Sequence, residues 1–256
     1  MKLLRSIIIS FSLYSIIPMP VFVWNEEEMK HAISFLPLVG IVIGAISIGI
    51  AKIGIFLKLP VLFISLILSV VPLILNGGFH FDGFMDVEDA KHSYKSKEEK
   101  LKIMKDPHIG AFAVIRAIVV IILWIAFIYL ILERNTTENN FKNIYLVGLS
   151  FGNVRAFCAL TSILYPRAKK DGMLNMETKK SGTFDIVLLS GFIVVLCALG
   201  VLIKWKTAFL SIMVNIVFAL YYKKMCEKQF GGVTGDTAGY FVVVGELLQA
   251  VVMALF

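Results

Sequence analysis

Long apolar segments recur along this chain and constrain its fold more than any other feature. A bilayer core about 30 Å thick requires roughly 20 apolar residues per helix, and hydrophobic residues make up 58% of the 256-residue chain. The pattern predicts an all-α, polytopic membrane protein that forms one domain over residues 1–256. About seven transmembrane helices are expected, at residues 33–56, 59–77, 109–132, 143–165, 184–203, 207–222 and 238–256.

The first apolar segment is too short for an ordinary span. Residues 7–17 include three serines and precede Pro18 and Pro20. We expect a short re-entrant or interfacial helix here, while a span within residues 1–23 stays open. A removed signal peptide is not expected, because a small-residue cleavage site is missing.

Lysine and arginine are distributed unevenly between the predicted loops. If the first segment does not cross, 17 of the 25 lie on the side of the N-terminus and 6 on the other, with Arg116 and Arg155 inside spans. Because positively charged loops stay in the cytoplasm, we expect a multi-pass protein of the cell membrane with this side facing the cytoplasm. Loops that face anionic lipid explain the net charge of +7, so no nucleic-acid partner is expected.

Three polar segments that contain glycines fall on this cytoplasmic side, at residues 77–112, 165–182 and 223–240. On the opposite side, residues 133–142 and 204–206 are plain connectors. We therefore expect the chemistry on the cytoplasmic side. The three cysteines have neither metal-ligand nor redox spacing and are expected only to pack.

An acidic cluster follows an apolar run directly, in the stretch NGGFHFDGFMDVEDA at residues 76–90. In a helix that begins near Asp82, the carboxylates of Asp82, Asp86 and Asp89 share one face, while Glu88 points elsewhere. Like charges at this spacing repel, and a divalent cation removes the repulsion. Carboxylate oxygens suit Mg²⁺ or Mn²⁺. The alternative is a solvated acidic helix start.

Neighbouring residues favour the metal site over that alternative. Gly77 and Gly78 allow the backbone to approach a ligand closely. No cysteine lies nearby, and His80 and His92 are too far apart in sequence to form a local ligand pair, which argues against zinc.

A second glycine-rich segment, GGVTGDTAG, occupies residues 231–239. Backbone N–H groups around Thr234 at a helix start can bind phosphate. Asp236 is expected either to N-cap the last helix or to complete the metal site. The segment lacks the ending of a Walker loop, and a flexible turn is the alternative. Together with the acidic cluster it predicts a site for a diphosphate and a metal.

The third segment, KIMKDPHIGAF, occupies residues 102–112. Asp106 before Pro107 is typical of a helix start, so Asp106 is expected to cap the following span. Lys105 and His108 are candidates for phosphate or base contacts.

Two arginines lie within predicted spans, where charge is costly and usually paired. Asp185 and Glu246 are the expected partners of Arg116 and Arg155. Structural ion pairing and phosphate binding are equally compatible with the sequence at both positions.

These motifs, in this order, resemble those of the cobalamin synthase family, also called adenosylcobinamide-GDP ribazoletransferase, over nearly the full length. The family patterns are G-G-x-H-x-D-G-x-x-D-x-x-D-G, I-M-K-D-x-x-I-G-x-x-G and G-G-x-T-G-D-x-x-G. The P-L-V-G at residues 37–40 and the P-M-P at residues 18–20 also agree. The matching residues are Gly77, Gly78, His80, Asp82, Gly83, Asp86 and Asp89, then residues 103–110, then Gly231, Gly232, Thr234, Gly235, Asp236 and Gly239.

The chain departs from the family patterns at a few positions. Ala90 and Ala113 replace glycines, and Ser15-Ile16 stands where the family has Thr-Arg. Arg167 matches a family arginine only loosely. The acidic triad is unaffected.

The resemblance implies an enzyme that joins adenosylcobinamide-GDP to α-ribazole or its 5′-phosphate. The products are adenosylcobalamin or its 5′-phosphate and GMP, and the cofactor is Mg²⁺, with Mn²⁺ as a possible substitute. A ribose hydroxyl attacks the phosphorus nearest the cobinamide. The lipid bilayer is the expected environment, and a homo-oligomer stays open.

The expected site combines metal, catalytic and substrate contacts. Asp82, Asp86, Asp89 and Asp236 are expected to hold the metal. Asp82, His80 and Asp236 are the expected catalytic residues, with His80 or an aspartate as the base. The residues expected to contact substrate or phosphate are Gly77, Gly78, Lys105, His108, Arg116, Arg155, Gly231, Gly232, Thr234 and Gly235.

Two other classes remain alternatives. A CDP-alcohol phosphotransferase has similar chemistry and a similar Asp86-x-x-Asp89 opening, but Ala90 and the GDTAGY segment depart from its pattern. A cation transporter would place its carboxylates near the bilayer midplane, whereas these fall in a predicted loop.

Overall fold

The computed structural model describes residues 2–24, 26–138, 140–168 and 173–256. Within these residues the chain is helical, and its β-structure is a single bridge between Arg167 and Val233. This confirms the predicted all-α fold. The helices are α1 (Lys2–Tyr14), α2 (Glu26–Met29), α3 (Leu36–Phe56), α4 (Val61–Leu75), α5 (Phe79–His92), α6 (Lys97–Ile103), α7 (Ala111–Glu138), α8 (Lys142–Leu164), α9 (Met173–Thr178), α10 (Thr183–Phe230) and α11 (Gly235–Leu255).

Glycines bring α3 and α8 into close contact at the centre of the bundle. A Cβ atom on Gly40 would lie 2.3 Å from the carbonyl oxygen of Phe151, and one on Gly44 would lie 2.0 Å from that of Gly148. Small residues let helix backbones approach each other in membranes, where van der Waals packing replaces the hydrophobic effect. The α3–α8 pair therefore depends on the absence of side chains at these positions.

The 48-residue helix α10 folds back on itself at Lys204, whose φ of −154° and ψ of 87° are not helical. A Cβ atom on Gly200 would lie 3.3 Å from the Cβ of Ala208, although residues eight apart in a continuous helix are separated by about 12 Å. Residues 183–203 and 205–230 are therefore two antiparallel arms. The predicted connector at residues 204–206 lies at this turn.

Among the residues that the structure describes, five helices are long and apolar enough to cross a membrane, or six if α4 and α5 are counted together as one bent span. Both counts take α10 as one helix. If its two arms are counted separately and α4 with α5 counts as one span, the number is the predicted seven. The 13-residue α1 is too short to cross in the usual way. The chain is a polytopic membrane protein, and the number of its spans stays a prediction.

A sharp turn separates α4 from α5. Gly77 and Gly78 have φ angles of +60° and +77°, a backbone conformation that glycine adopts without steric cost. The two helices consequently meet at 90°. Helix α5 begins at Phe79, three residues before the predicted start. Five of its 14 residues are charged, and we place it outside the spanning segments, because charge inside the bilayer is costly.

The two ends of the bundle differ in character. At one end, the Nζ of Lys204 donates to the carbonyl oxygen of Phe256 at 2.6 Å and to Oδ1 of Asn143 at 3.1 Å. At the other end, residues 165–168 bridge to the loop before α11 through Val233. His80 and Lys105 of the first polar segment line a common cavity with Arg167 and Val233, so the three polar segments that the sequence predicts on one side meet at this end of the bundle.

The α3–α8 contact predicts opposite outcomes for two glycine substitutions in the same helix. Gly44→Ala should lower the free energy of unfolding by about 1–3 kcal/mol, because the added methyl group pushes two backbones apart. Gly49→Ala is the control, since no atom lies within 4 Å of its added Cβ and alanine favours helix. Thermal unfolding in detergent measures both, and equal midpoints for the two variants would contradict the packing described here.

Candidate functional site

A cavity of about 500 Å³ opens at the end of the bundle where the polar segments meet. Its lining combines residues from α1, α3, α5, α8, α9 and α11 with residues from the loops before α7, α9 and α11. The polar residues of this lining carry both signs of charge. They include Tyr14, His80, Asp82, Lys105, Arg167 and Asp236.

The four predicted carboxylates lie close enough to influence one another. Asp82 and Asp236 line the cavity, and Asp86 and Asp89 follow on the same helix as Asp82. Burial raises the pKa of Asp86 to about 7, with smaller contributions from the negative charges of Asp82, Asp236 and Asp89. The neighbouring Glu88 takes no part, because it pairs with Lys91 and Arg116. The structure thus brings together the acids that the sequence predicts, from two distant segments.

Two glycines allow this meeting of α5 with α11. A Cβ atom on Gly83 would lie 2.8 Å from the Cα of Asp236, and one on Gly239 would lie 2.6 Å from the carbonyl oxygen of His80. Asp89 rests against a third glycine, because a Cβ atom on Gly110 would overlap its carboxylate. One glycine of each motif therefore makes a close contact around the acids.

The four carboxylates suit a metal ion because of their charge and their oxygen atoms. Within the described residues, no three His, Cys, Asp or Glu side chains are arranged closely enough to hold an ion. However, Asp86, whose pKa is raised chiefly by burial, lies close enough to Asp82, Asp236 and Asp89 to feel their negative charge, and a group of four carboxylates suits a hard divalent cation. The metal site stays a prediction.

The glycine-rich segment before α11 is an ordered turn. Gly231 has a φ of +80° and ends α10, and Gly232 has a φ of +153° and no space for a side chain beside Pro166. Thr234 caps α11, since its side chain accepts a hydrogen bond from the N–H of Thr237 at 3.1 Å. Of the two alternatives for Asp236, capping of this helix is therefore wrong, and Asp236 lines the cavity.

Other glycines of the predicted site have different surroundings. Thr234 and Gly235 line the cavity, but the Cβ position of Gly235 is open and its φ is ordinary. Gly77 and Gly78 form the turn before α5 and lie outside the main cavity lining. Their contribution is to orient α5.

The third segment contributes Lys105 alone to the cavity. The Nδ1 of His108 is hydrogen-bonded to Oδ1 of Asp106 at 2.6 Å. The His108 side chain is 89% exposed and does not line the cavity. The prediction that Asp106 caps the following helix is wrong, because α7 begins only at Ala111. Asp106 instead accepts hydrogen bonds from the backbone and ring of His108 within a turn.

The structure brings neither intramembrane arginine to the cavity. Arg155 is fully buried and pairs with Glu246, so a phosphate group cannot reach it. Arg116 pairs with Glu88 at 3.3 Å on the outer side of α5. The predicted partner Asp185 instead bonds to His31 at 2.6 Å. Of the two roles that the sequence leaves open for Arg155, ion pairing and phosphate binding, the structure shows an ion pair with Glu246.

One wall of the cavity is buried, and sequence reasoning found only part of it. We define the buried wall as Tyr14, His80, Cys158 and Glu177, all of which line the cavity and are buried. Burial, and then the charge of Arg155, lowers the pKa of His80 well below its usual value. Among the described residues the Nδ1 of His80 has no hydrogen-bond partner.

Tyr14 and Glu177 were not expected in the site. The hydroxyl of Tyr14 donates to Oε2 of Glu177 at 2.7 Å, across 163 positions of sequence. Tyr14 lies in the short apolar segment and Glu177 in a segment without a recognisable motif, so no local signal connects them. Arg167, a loose match in sequence, does line the cavity and is held by Asn175 at 2.8 Å.

Burial raises the pKa of Glu177 to about 7 from an ordinary 4.5, which predicts a specific pH dependence of stability. Between these values the folded state keeps a proton that the unfolded state has lost, so stability falls as pH rises from about 4.5 to 7. Glu177→Gln removes this contribution. Thermal unfolding of both proteins across pH 4.5–8 should show a smaller decline for the variant, and parallel curves would refute the assignment.

The comparisons with known proteins are consistent across the chain. A sequence model of the family described as Cobalamin-5-phosphate synthase matches residues 6–254. An adenosylcobinamide-GDP ribazoletransferase of Lachnoclostridium phytofermentans is 33% identical over 100% of this chain and 95% of its own length. A protein of the same name from Clostridium botulinum is 32% identical over 100% of this chain and 99% of its own length. Another from Clostridioides difficile is 32% identical over 93% of this chain and 93% of its own length. No solved structure matches the chain.

Proposed function

This chain belongs to the Cobalamin-5-phosphate synthase family, and from that premise we propose that it joins adenosylcobinamide-GDP to α-ribazole or its 5′-phosphate with release of GMP. The protein is a transferase of cobalamin biosynthesis and lies in a membrane. The observation that carries the assignment to this cavity is the convergence of Asp82 and Asp236 on its lining from two separate family motifs. The family match leaves no support for a CDP-alcohol phosphotransferase or a cation transporter.

The reaction is a phosphoryl transfer. A ribose hydroxyl of the acceptor forms a bond to the phosphorus nearest the cobinamide, the bond from that phosphorus to the GMP oxygen breaks, and the hydroxyl proton passes to a base. Such reactions depend mainly on positioning and on stabilising the charge of the phosphate oxygens. Lys105 and Arg167 supply positive charge in the cavity for this purpose.

We assign Mg²⁺, or Mn²⁺ in its place, to the acidic side of the cavity. Asp82, Asp86, Asp89 and Asp236 would hold it, because the half-buried Asp86 lies near three further carboxylates and a cation offsets their negative charge. When bound, the ion supplies positive charge against the diphosphate.

Two groups of the cavity are suited to accept the proton of the attacking hydroxyl. His80 is held neutral by burial, and its Nδ1 has no partner among the described residues. Asp82 is exposed on the lining. Either can act as the base when the hydroxyl comes within hydrogen-bond distance.

Substitution of the cavity aspartates tests the proposed function. Asp82→Asn and Asp236→Asn should each lower turnover by about 10²-fold or more, the effect of losing one positioned electrostatic group. Asp106→Asn is the matched control, because Asp106 lies outside the lining on an exposed turn. GMP release from adenosylcobinamide-GDP and α-ribazole by purified protein is the readout. Full Mg²⁺-dependent activity of Asp82→Asn would refute the site, and no GMP release by the wild type would refute the function.

We further propose that this end of the bundle faces the cytoplasm across the cell membrane, on the evidence of the lysine and arginine distribution. In a background without the three native cysteines, single cysteines at the exposed positions Lys97 and Lys228 should react with an impermeant thiol reagent only after the cells are opened. Lys206→Cys, at the opposite end, should react in intact cells. Labelling of Lys97→Cys or Lys228→Cys from outside would reverse the orientation.

A further inference from the structure

The buried wall of the cavity contains polar groups that the phosphoryl transfer described above does not use. Glu177 is 2% exposed. Its Oε2 accepts from the Tyr14 hydroxyl, while its Oε1 has no hydrogen-bond partner among the described residues. A buried oxygen without a partner costs roughly 1–3 kcal/mol of desolvation, and a ligand that donates a hydrogen bond recovers this energy.

The residues of this wall favour a ligand group that is uncharged and donates a hydrogen bond. Glu177 and Tyr14 carry no positive charge, and the remaining lining around them includes the apolar Ile33, Leu36 and Leu174. A phosphate group would meet a carboxyl group there without a cation of its own, whereas a hydroxyl donates to Oε1 readily. The cationic residues Lys105 and Arg167 belong to the more exposed part of the lining.

The size of the cavity and the chemistry of the two substrates point to the nucleoside. A volume of about 500 Å³ lies in the range of pockets for small ligands, so it admits a nucleoside but not the whole of a corrinoid with its nucleotide. The heterocycle of a benzimidazole nucleoside has only an acceptor nitrogen, so its hydrogen-bond donors are the ribose hydroxyls. One of these attacks the phosphorus, and another is left to bind elsewhere.

We propose that Glu177 and Tyr14 form a specificity-determining subsite that binds a non-reacting ribose hydroxyl of the nucleoside acceptor. Oε1 of Glu177 accepts from that hydroxyl, and Tyr14 holds the carboxyl group in place through Oε2. Tyr14 also stacks on His80 with ring centroids 6.1 Å apart, which connects the subsite to α5 beside Asp82. The inference rests on the proposed function, and it adds the residues that recognise the acceptor.

The test separates acceptor binding from the rest of the reaction. At pH 8.5, where Glu177 is ionised, Glu177→Gln keeps an acceptor for the Tyr14 hydroxyl but replaces the other oxygen with a donor, so the KM for α-ribazole should rise by roughly tenfold or more. Tyr14→Phe should raise the same KM by a smaller factor. In both variants the KM for adenosylcobinamide-GDP and kcat should change by less than about twofold, because these residues touch neither the diphosphate nor the reacting atoms.

The control variant is Glu133→Gln, in which the glutamate lies on the exposed end of α7. Calorimetric titration of the solubilised protein with α-ribazole alone gives a readout without turnover, and Glu177→Gln should weaken binding by the same factor as it raises KM. An unchanged KM and affinity for α-ribazole in Glu177→Gln, or equal increases in both KM values, would overturn the subsite. Failure of the wild type to release GMP would instead overturn the proposed function, and the titration would still decide whether the subsite binds the nucleoside.

Discussion

The contact between the backbones of α5 and α11 is the constraint on which the site depends. Gly83 lies against Asp236 and Gly239 against His80, at distances that admit no side chain. This contact brings the carboxylates of residues 82–89 close to that of residue 236, and the pKa of Asp86 is raised by burial and, to a smaller extent, by its acidic neighbours. Attraction between the helices cannot come from these acids, so it must come from packing in the rest of the bundle, of which the α3–α8 contact is the clearest example.

The cavity has two chemically different parts, an open side with charged residues and a buried wall. Its acidic and cationic residues lie towards the open side, where solvent and ions have access. Its buried wall combines a carboxyl, a phenol and a neutral imidazole, held by one another and by burial. A reaction between a charged diphosphate and a ribose hydroxyl of the acceptor requires both environments within a short distance, and this end of the bundle provides them.

Much of this arrangement is predictable from local pattern. Apolar length locates the helices, the fold-back of α10 falls at the predicted connector, and the motifs identify the acids and their glycines. What local pattern misses depends on distant contacts. The Tyr14–Glu177 pair is separated by 163 positions, and the choice between ion pairing and phosphate binding at Arg155 requires knowledge of its burial. The signal at Asp106 misleads because a turn closed by His108 satisfies the same side chain.

The buried pair of Arg155 and Glu246 has a consequence for how the protein is made. Arg155 enters the membrane with α8, but its partner is 91 residues further along the chain, in the last helix. At a synthesis rate of about 5–20 residues per second, Glu246 is therefore made on the order of 5–20 seconds after Arg155. During this interval the carbonyl oxygen of Phe151 and the side chain of Asn76, both made earlier, are the available partners. Because Glu246 and Asp236 both belong to α11, the buried ion pair and the acidic site can form only after this helix has been made.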